Sequence, residues 1–494
     1  MLFLAGFSLT FAFAPFNAWP VTLLGGALAV RQLALLPDRH FLGGWLFGMG
    51  WFGAGISWVH VSIADFGGLP LIGSVAMMAL LCAYLALYPA LAFWLTARYF
   101  KSALWPLALP LLWTLTEWLR SWMLTGFPWL SLGYSQIDSP LAGWLPVVGE
   151  TGVTALLVCL IALAGISRTP RQWILTLFAI TVAGLSGWVA NRHNWVSPER
   201  NVSMAMVQGN IAQSLRWQPQ QDGPTMEKYR SLSAPLWQSD VIIWPEAAVP
   251  KLEPLALDYL NDMDKQAAQT DTALVTGIVN YNWESDEAWN SVIVLGKREP
   301  DDERGQYRYF HANRYAKHHL LPVGEFVPFE SLLRGLAPIF DLPMSSFSRG
   351  DFLQPNLIAN GVSMATALCF EIAFPRQVSA NVHADTDVIL TLSNDAWFGR
   401  SHGPAQHLEI ARVRAKEMGR PVVRATNNGI SAFVDHRGSV IARLPQFEAA
   451  SLSATVTTTR GMTPYRRYGD TLVWLATALL FIIALIRKRP SVLQ

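Results

Sequence analysis

The sequence predicts a polytopic α-helical membrane protein of about eight spans that carries an α/β domain. Three observations predict it. Of the 494 residues, 52% are hydrophobic and only 15% charged, where soluble proteins hold about 25% charged residues. The apolar residues gather into long stretches at both ends of the chain, many bordered by members of a set of 21 Trp. Trp is favoured where hydrocarbon meets water. Between the apolar ends lies a polar block in which strand-like runs are interleaved with helical patterns.

The elements follow in order. Residues 1–30 hold no charged side chain, and "PFNAWP" (15–20) breaks them into two apolar pieces. A signal peptide over 1–14 would need a basic n-region and a cleavage site, and neither is evident. Further apolar stretches run over 41–64, 69–97, 103–122, 141–167 and 172–190, and the last over 471–486. A helix crossing the hydrocarbon needs about 20 apolar residues. The stretch 69–97 exceeds that, whereas 1–14 and 471–486 fall short. Seven spans then precede the polar block and one follows it, giving domains at 1–190, 191–469 and 470–494. Arg31 and Arg39 follow the second span, Arg98 and Lys101 the fourth, Arg168 and Arg171 the sixth, and Arg487, Lys488 and Arg489 the eighth. Basic residues stay on the cytoplasmic side, so both termini are expected inside and the polar block outside. Glu117, Arg120 and Glu150 border or interrupt spans. Ionisable groups there are costly, and a structural pairing is the expected reading.

In the polar block, strand-like runs occur at 202–211, 240–246, 273–279, 291–296, 362–370, 387–395 and 430–444, with helical patterns at 256–268 and 404–418. About 280 residues suffice for a sizeable core. The net charge of +2 singles out no partner, and nucleic acid is not expected. Of the three cysteines, Cys82 and Cys159 lie in apolar stretches, so no disulfide framework is expected.

Three neighbourhoods in the block bear on chemistry. Glu246, in "IIWPEAAVP", follows an apolar strand and a proline. A carboxylate there can act as general base, although a solvated loop glutamate is the commoner fate of an isolated one. Lys317 and Glu325 lie in "YAKHHLLPVGEFVPF" (315–329). An ammonium is a compact charge suited to an oxyanion, against the plain alternative of a surface lysine. The adjacent His318 and His319 lack an acidic or Cys partner at ligand spacing, so neither a metal nor any other cofactor is expected. Cys369, in "ALCFEIAFP" (367–375), ends a strand-like run with Glu371 two residues on. A thiolate is a strong nucleophile when a base or cation activates it, whereas most free cysteines are buried and structural.

The order Glu, Lys, Cys in these contexts resembles the nitrilase superfamily of carbon–nitrogen hydrolases, over roughly 202–458 and including "MVQGNI" and "LTLSNDAWFG". The resemblance implies an αββα sandwich and a catalytic triad of Glu246, Lys317 and Cys369. With the flanking spans, and with "TGFPWLSLGYSQ" (125–136), "KHHLLPVGEFVP" (317–328) and "NDAWFG" (394–399), nearly the whole chain is similar to the apolipoprotein N-acyltransferase family. That resemblance adds Trp217, Glu325 and Glu371 as supporting residues. Phe370 stands where the family often has Tyr, so its backbone N–H carries over and a hydroxyl does not.

What this implies is a two-step acyl transfer in the bacterial inner membrane, with the catalytic domain in the periplasm. Glu246 takes the Cys369 proton, and the thiolate attacks a phospholipid ester, by resemblance that of phosphatidylethanolamine. Lys317 and the Phe370 N–H stabilise the oxyanion. The α-amine of an S-diacylglyceryl apolipoprotein then resolves the thioester. The segment "SLLRGLAPIFDLPMSSF" (331–347) reads equally as an interfacial lid or a core-packing loop. A membrane-tethered amidase would use the same triad with water as acceptor, yet would need one anchor rather than eight spans. A transporter with an accessory domain should show charged, broken helices, and these spans are nearly charge-free.

Overall fold

The computed structural model describes residues 1–36, 38–66, 70–216, 218–322, 324–326 and 347–488. Two compact units emerge, one of Met1–Trp195 with Thr463–Gln494 and the other of Val196–Met462.

The first unit is helical: α1 (Leu2–Ser8), α2 (Pro20–Leu35), α3 (His40–Gly55), α4 (Val59–Phe66), α5 (Leu71–Leu85), α6 (Leu87–Tyr99), α7 (Trp105–Arg120), α8 (Leu145–Ile166) and α9 (Pro170–Arg192), with Pro464–Tyr468 and Thr471–Lys488 after the second unit. Among the described residues, Leu71–Tyr99, Pro140–Ile166, Pro170–Arg192 and Thr471–Lys488 are long and apolar enough to cross a membrane. A fifth span arises if His40–Gly55 and Val59–Asp65, bent by 57°, count as one. Three other expected stretches are helical but shorter, at Leu2–Ala12, Pro20–Leu35 and the 16-residue α7. The "PFNAWP" break limits the first two.

The outward faces of these helices are apolar. On α9, Ile174, Leu175, Phe178 and Val189 are exposed, as are Leu475, Leu479 and Ile486 on the last helix. Water would penalise such surfaces by about 25 cal/mol per Å², and hydrocarbon would not. Inside the unit, small residues bring backbones together. A Cβ on Gly6 of α1 would lie 1.9 Å from the Phe47 carbonyl oxygen, and one on Gly50 of α3 would lie 2.0 Å from that of Phe3. Glu117, Arg120 and Glu150 are partnered within the unit. Arg120 pairs with Glu117 and donates to the Trp129 carbonyl at 2.8 Å. Glu150 accepts from Ser131 Oγ at 2.6 Å.

The second unit holds thirteen strands among its described residues: β1 (Val196–Gln208), β2 (Val241–Ile243), β3 (Val249–Leu252), β4 (Ala273–Asn282), β5 (Glu287–Gly296), β6 (Arg314–Ala316), β7 (Leu357–Ala359), β8 (Val362–Thr366), β9 (Val388–Ser393), β10 (Val422–Thr426), β11 (Ala432–Val434), β12 (Val440–Arg443) and β13 (Ala450–Gly461). Its helices are α10 (Pro219–Ser233), α11 (Leu257–Gln269), α12 (Pro375–Asn381) and α13 (Gly403–Met418). One sheet runs β13-β1-β2-β4-β5-β6, with β3 added at β4; the other runs β12-β11-β10-β9-β8-β7. The strands β1, β2 and β4 are mutually parallel, as are β8, β9 and β10, and both sets have antiparallel flanks. Parallel strands covered on both faces need continuous apolar runs, and Val241, Ile242 and Ile243 are fully buried. One core joins the sheets through residues such as Met204, Ile243, Met364, Leu390 and Val423. A second lies between the first sheet and α10 and α11, around Trp244, Leu260 and Ile293.

The expected strand at 362–370 ends early. The strand closes at Thr366, a last backbone bond to β9 runs from the Ala367 N–H to the Leu390 carbonyl at 2.9 Å, and Cys369–Ala373 forms a 3-10 turn. The expected strand at 430–444 is instead the hairpin β11–β12, turned at Gly438.

Candidate active site

The carboxyl ends of parallel strands are where open α/β sheets place their ligands. Here the ends of β2, β8 and β9 carry Glu246, Cys369 and Asn394. Beyond β2, Trp244 still bonds the Val275 carbonyl at 2.8 Å before Pro245 turns the chain. Ala247 then takes a left-handed φ of +45°. Arg216 Nη2 holds this turn by donating to the Glu246 and Ala247 carbonyls at 2.5 and 3.0 Å. The turn lies directly on β4, where a Cβ on Gly277 would come 2.7 Å from Glu246 Cα.

The Glu246 carboxylate, 8% exposed, is gripped from both sheets. Its Oε1 accepts from Asn290 Nδ2 of β5 at 2.7 Å, and its Oε2 from the Asn394 N–H beyond β9 at 2.9 Å. Lys317, just past β6 and 2% exposed, places Nζ 3.7 Å from Glu246 Oε1 and 2.8 Å from Glu325 Oε2. Asn290 Nδ2 also donates to Glu325 Oε1 at 2.8 Å, and the Leu321 N–H donates to Glu325 Oε2 at 2.7 Å. One ammonium and one amide thus bind two buried carboxylates. Burial works against the Lys317 charge, but Glu325 and then Glu246 outweigh it and hold its pKa above the ordinary lysine value.

Cys369 opens the turn after β8 with a φ of +54°. A residue with a Cβ incurs about 1–2 kcal/mol there, so surrounding bonds must hold it. Ser393 Oγ lies 3.3 Å from its Sγ and 2.6 Å from Asp395 Oδ1. Burial, and next the Glu246 carboxylate, push the thiol up to about 12, while Lys317 pulls it down. Both charges therefore act on the sulfur, and the resting group is a thiol.

Glu371 is fully buried, and both its oxygens are engaged. Its Oε2 accepts from the Leu368 N–H and Tyr315 Oη, each at 2.7 Å. Its Oε1 accepts from the His318 and His319 N–H groups at 2.9 Å and from Gln377 Nε2 at 2.7 Å. It ties the segment carrying Lys317 to the turn carrying Cys369. Phe370 is buried, its ring edge-on to Phe374 at 5.0 Å. His319 stacks on Phe374 at 3.6 Å. Trp217 lies outside the described residues, as does 331–346 of the expected lid.

The sequence reasoning missed Asn290, Ser393 and Asp395. Their signal was a cluster of polar residues, Ser-Asn-Asp, directly after a continuous apolar strand, and a lone Asn early in "NSVIVLG". Together the site offers a buried thiol, a base held by two donors and a cation shared between carboxylates. That set can form and resolve a thioester.

Known proteins of similar sequence give this set a lineage. Residues 5–164 match the family described as "Apolipoprotein N-acyltransferase N-terminal domain", and 203–464 match "Carbon-nitrogen hydrolase". The chain is 49% identical to an apolipoprotein N-acyltransferase of Vibrio cholerae over 97% of its own length and 95% of that protein's. It is 48% identical to one of Vibrio vulnificus, covering 98% and 95%, and 47% identical to one of Photobacterium profundum, covering 99% and 95%. With both units matched and kinship running nearly end to end, the chain belongs to the apolipoprotein N-acyltransferase family.

Proposed function

We propose that the chain N-acylates lipoproteins through a thioester on Cys369. The observation that carries the reading is the Glu246–Lys317 pair, whose charges act on a buried thiol at the strand ends while Glu325 supports Lys317. Glu246 takes the proton from Sγ as the sulfur attacks the ester carbonyl of a phospholipid, for which phosphatidylethanolamine is the proposed donor. Lys317 and the Phe370 N–H face the oxyanion. As it collapses, the ester C–O bond breaks and Glu246 returns the proton to the departing lysophospholipid oxygen. The α-amine of an S-diacylglyceryl cysteine then attacks the thioester. A C–N bond forms, the C–S bond breaks, and the amine proton passes through Glu246 to the thiolate. Glu325 supports the charge of Lys317, Glu371 fixes the two segments against each other, and Trp217 is assigned to substrate contact.

The helical segments are read as seven spans over 1–190 and one over 470–494, in the bacterial inner membrane. Both termini are cytoplasmic and 191–469 is a periplasmic αββα sandwich. The Lys/Arg pattern of the alternate loops supports this orientation. A tethered amidase is disfavoured by the full-length kinship with acyltransferases. The test is intact-mass measurement of purified full-length protein given phosphatidylethanolamine, then a diacylglyceryl peptide. One acyl group should appear on Cys369 and move to the peptide amine. Turnover in Cys369→Ser at the wild-type rate would refute the reading.

A further inference from the structure

Beneath the Cys369 turn lies a buried charged layer that the mechanism above does not use. His407, on α13, is fully buried. Its Nε2 is 3.0 Å from the Cys369 carbonyl oxygen. Its Nδ1 is 3.0 Å from Arg424 Nη2 and 3.2 Å from Asp395 Oδ1. Arg424 Nη2 is also 2.6 Å from Asp395 Oδ2, and the Phe398 ring stands edge-on to the imidazole at 5.8 Å. The Cys369 carbonyl oxygen only accepts, so Nε2 carries a hydrogen and donates to it. At Nδ1 the Arg424 guanidinium only donates and the Asp395 carboxylate only accepts, so a neutral ring with its hydrogen on Nε2 accepts from Arg424, and its contact with Asp395 is not a hydrogen bond. Burial, and after it the Arg424 charge, hold the His407 pKa below the ordinary imidazole value, in keeping with that form.

We propose that His407 is a positioning residue for acyl transfer: its Nε2–H holds the Cys369 carbonyl, fixes the Cys369–Phe370 peptide plane, and so aims the Phe370 N–H at the acyl oxyanion. The proposal rests on the thioester reading of the site. Covalent geometry links the two ends of this peptide. A trans peptide is planar, with its C=O and N–H on opposite sides, so a bond that anchors the oxygen on one side directs the hydrogen to the other. The anchor matters here because Cys369 holds a left-handed φ of +54°, which a residue with a Cβ does not choose unaided. Without it, the plane can rotate and present a carbonyl oxygen where the oxyanion needs a donor. The same bond polarises the amide and strengthens its N–H as a donor. The imidazole has little freedom of its own, because Arg424 on β10, itself paired with Asp395 beyond β9, donates to its far side.

The test compares two polar variants of the full-length protein in mixed micelles with dioleoyl-phosphatidylethanolamine, read by single-turnover intact mass. His407→Gln places an amide N–H near the position of Nε2. His407→Asn is too short to reach the carbonyl. His407→Gln should form the thioester within about fivefold of wild type, and His407→Asn about 10²-fold slower, as for loss of an oxyanion donor. The half-saturating phospholipid concentration should be unchanged in both, since no acyl-binding contact is removed. A purely packing role would slow both variants alike, so rates for the two within about fivefold of each other overturn the proposal. If His407→Asn fails to fold, His407→Gln decides alone: a rate within about fivefold of wild type supports the proposal, and a larger fall overturns it. Wild-type protein that never gains an acyl group refutes the thioester reading itself, and this proposal with it.

Discussion

Lys317→Met keeps the stem of the side chain and removes its ammonium. In the folded protein that ammonium lies 3.7 Å from Glu246 and 2.8 Å from Glu325, with all three side chains nearly excluded from water. At an effective dielectric constant of about 20, these separations correspond to about 4 and about 6 kcal/mol of attraction. Without the cation, two carboxylates joined through Asn290 face each other and lose the charge that offsets theirs. The oxyanion loses a donor, which costs about 10²–10³ in rate. Wild type keeps its cation up to about pH 9, because its carboxylates overcome burial and hold the Lys317 pKa above the ordinary lysine value. The assay is single-turnover thioester formation by intact mass, as a ratio to wild type. A variant faster than about a tenth of wild type refutes the reasoning.

Two further outcomes are expected. Asn290→Leu removes the donor shared by both carboxylates at nearly constant volume. A hydrogen bond to a charged group contributes about 1.5–3 kcal/mol, so thioester formation should slow about 10–10²-fold; an unchanged single-turnover rate would make Asn290 a bystander. Burial and the Glu246 charge hold the Cys369 thiol at about 12, and its thiolate fraction therefore rises with pH throughout the accessible range. Iodoacetamide labelling of Cys369, followed by peptide mass mapping, should climb without a plateau to about pH 9; a plateau near neutrality would mean a preformed thiolate.

The sequence was most legible where chemistry depends on residue type and local pattern. Continuous apolar runs marked β2, β8 and β9 as buried strands, and Glu246 and Cys369 were visible because a polar or reactive residue ended each run. Lys317 and Glu325 were candidates by residue type in a turn-rich segment, and only the family resemblance gave them weight, since neither ends an apolar run that periodicity would single out. Asn290 was not legible, because its importance comes from β5 lying next to β6 and beyond β4, a pairing order that no local window contains. His407 sat on a helix expected at 404–418, but its face was misleading. Its neighbours Glu409, Arg414, Lys416 and Glu417 are buried too, so the charged side chains that ordinarily mark a solvated face here mark an interior one. The spans show the opposite difficulty: hydropathy located apolar stretches well, but helix length depends on where Pro and Gly interrupt them.

The five-bond carboxylate of Glu371 also joins distant parts of the chain. Its partners Tyr315, His318 and His319 lie 52 to 56 positions earlier in the chain, and Leu368 and Gln377 lie nearby. A buried carboxylate left short of donors is costly, so this joint closes only when the β6 segment and the turn after β8 arrive together. Until then the Lys317 segment and the Cys369 turn are not tied to each other. One carboxylate thus couples completion of the architecture to the seating of these two segments, so neither is positioned without the other.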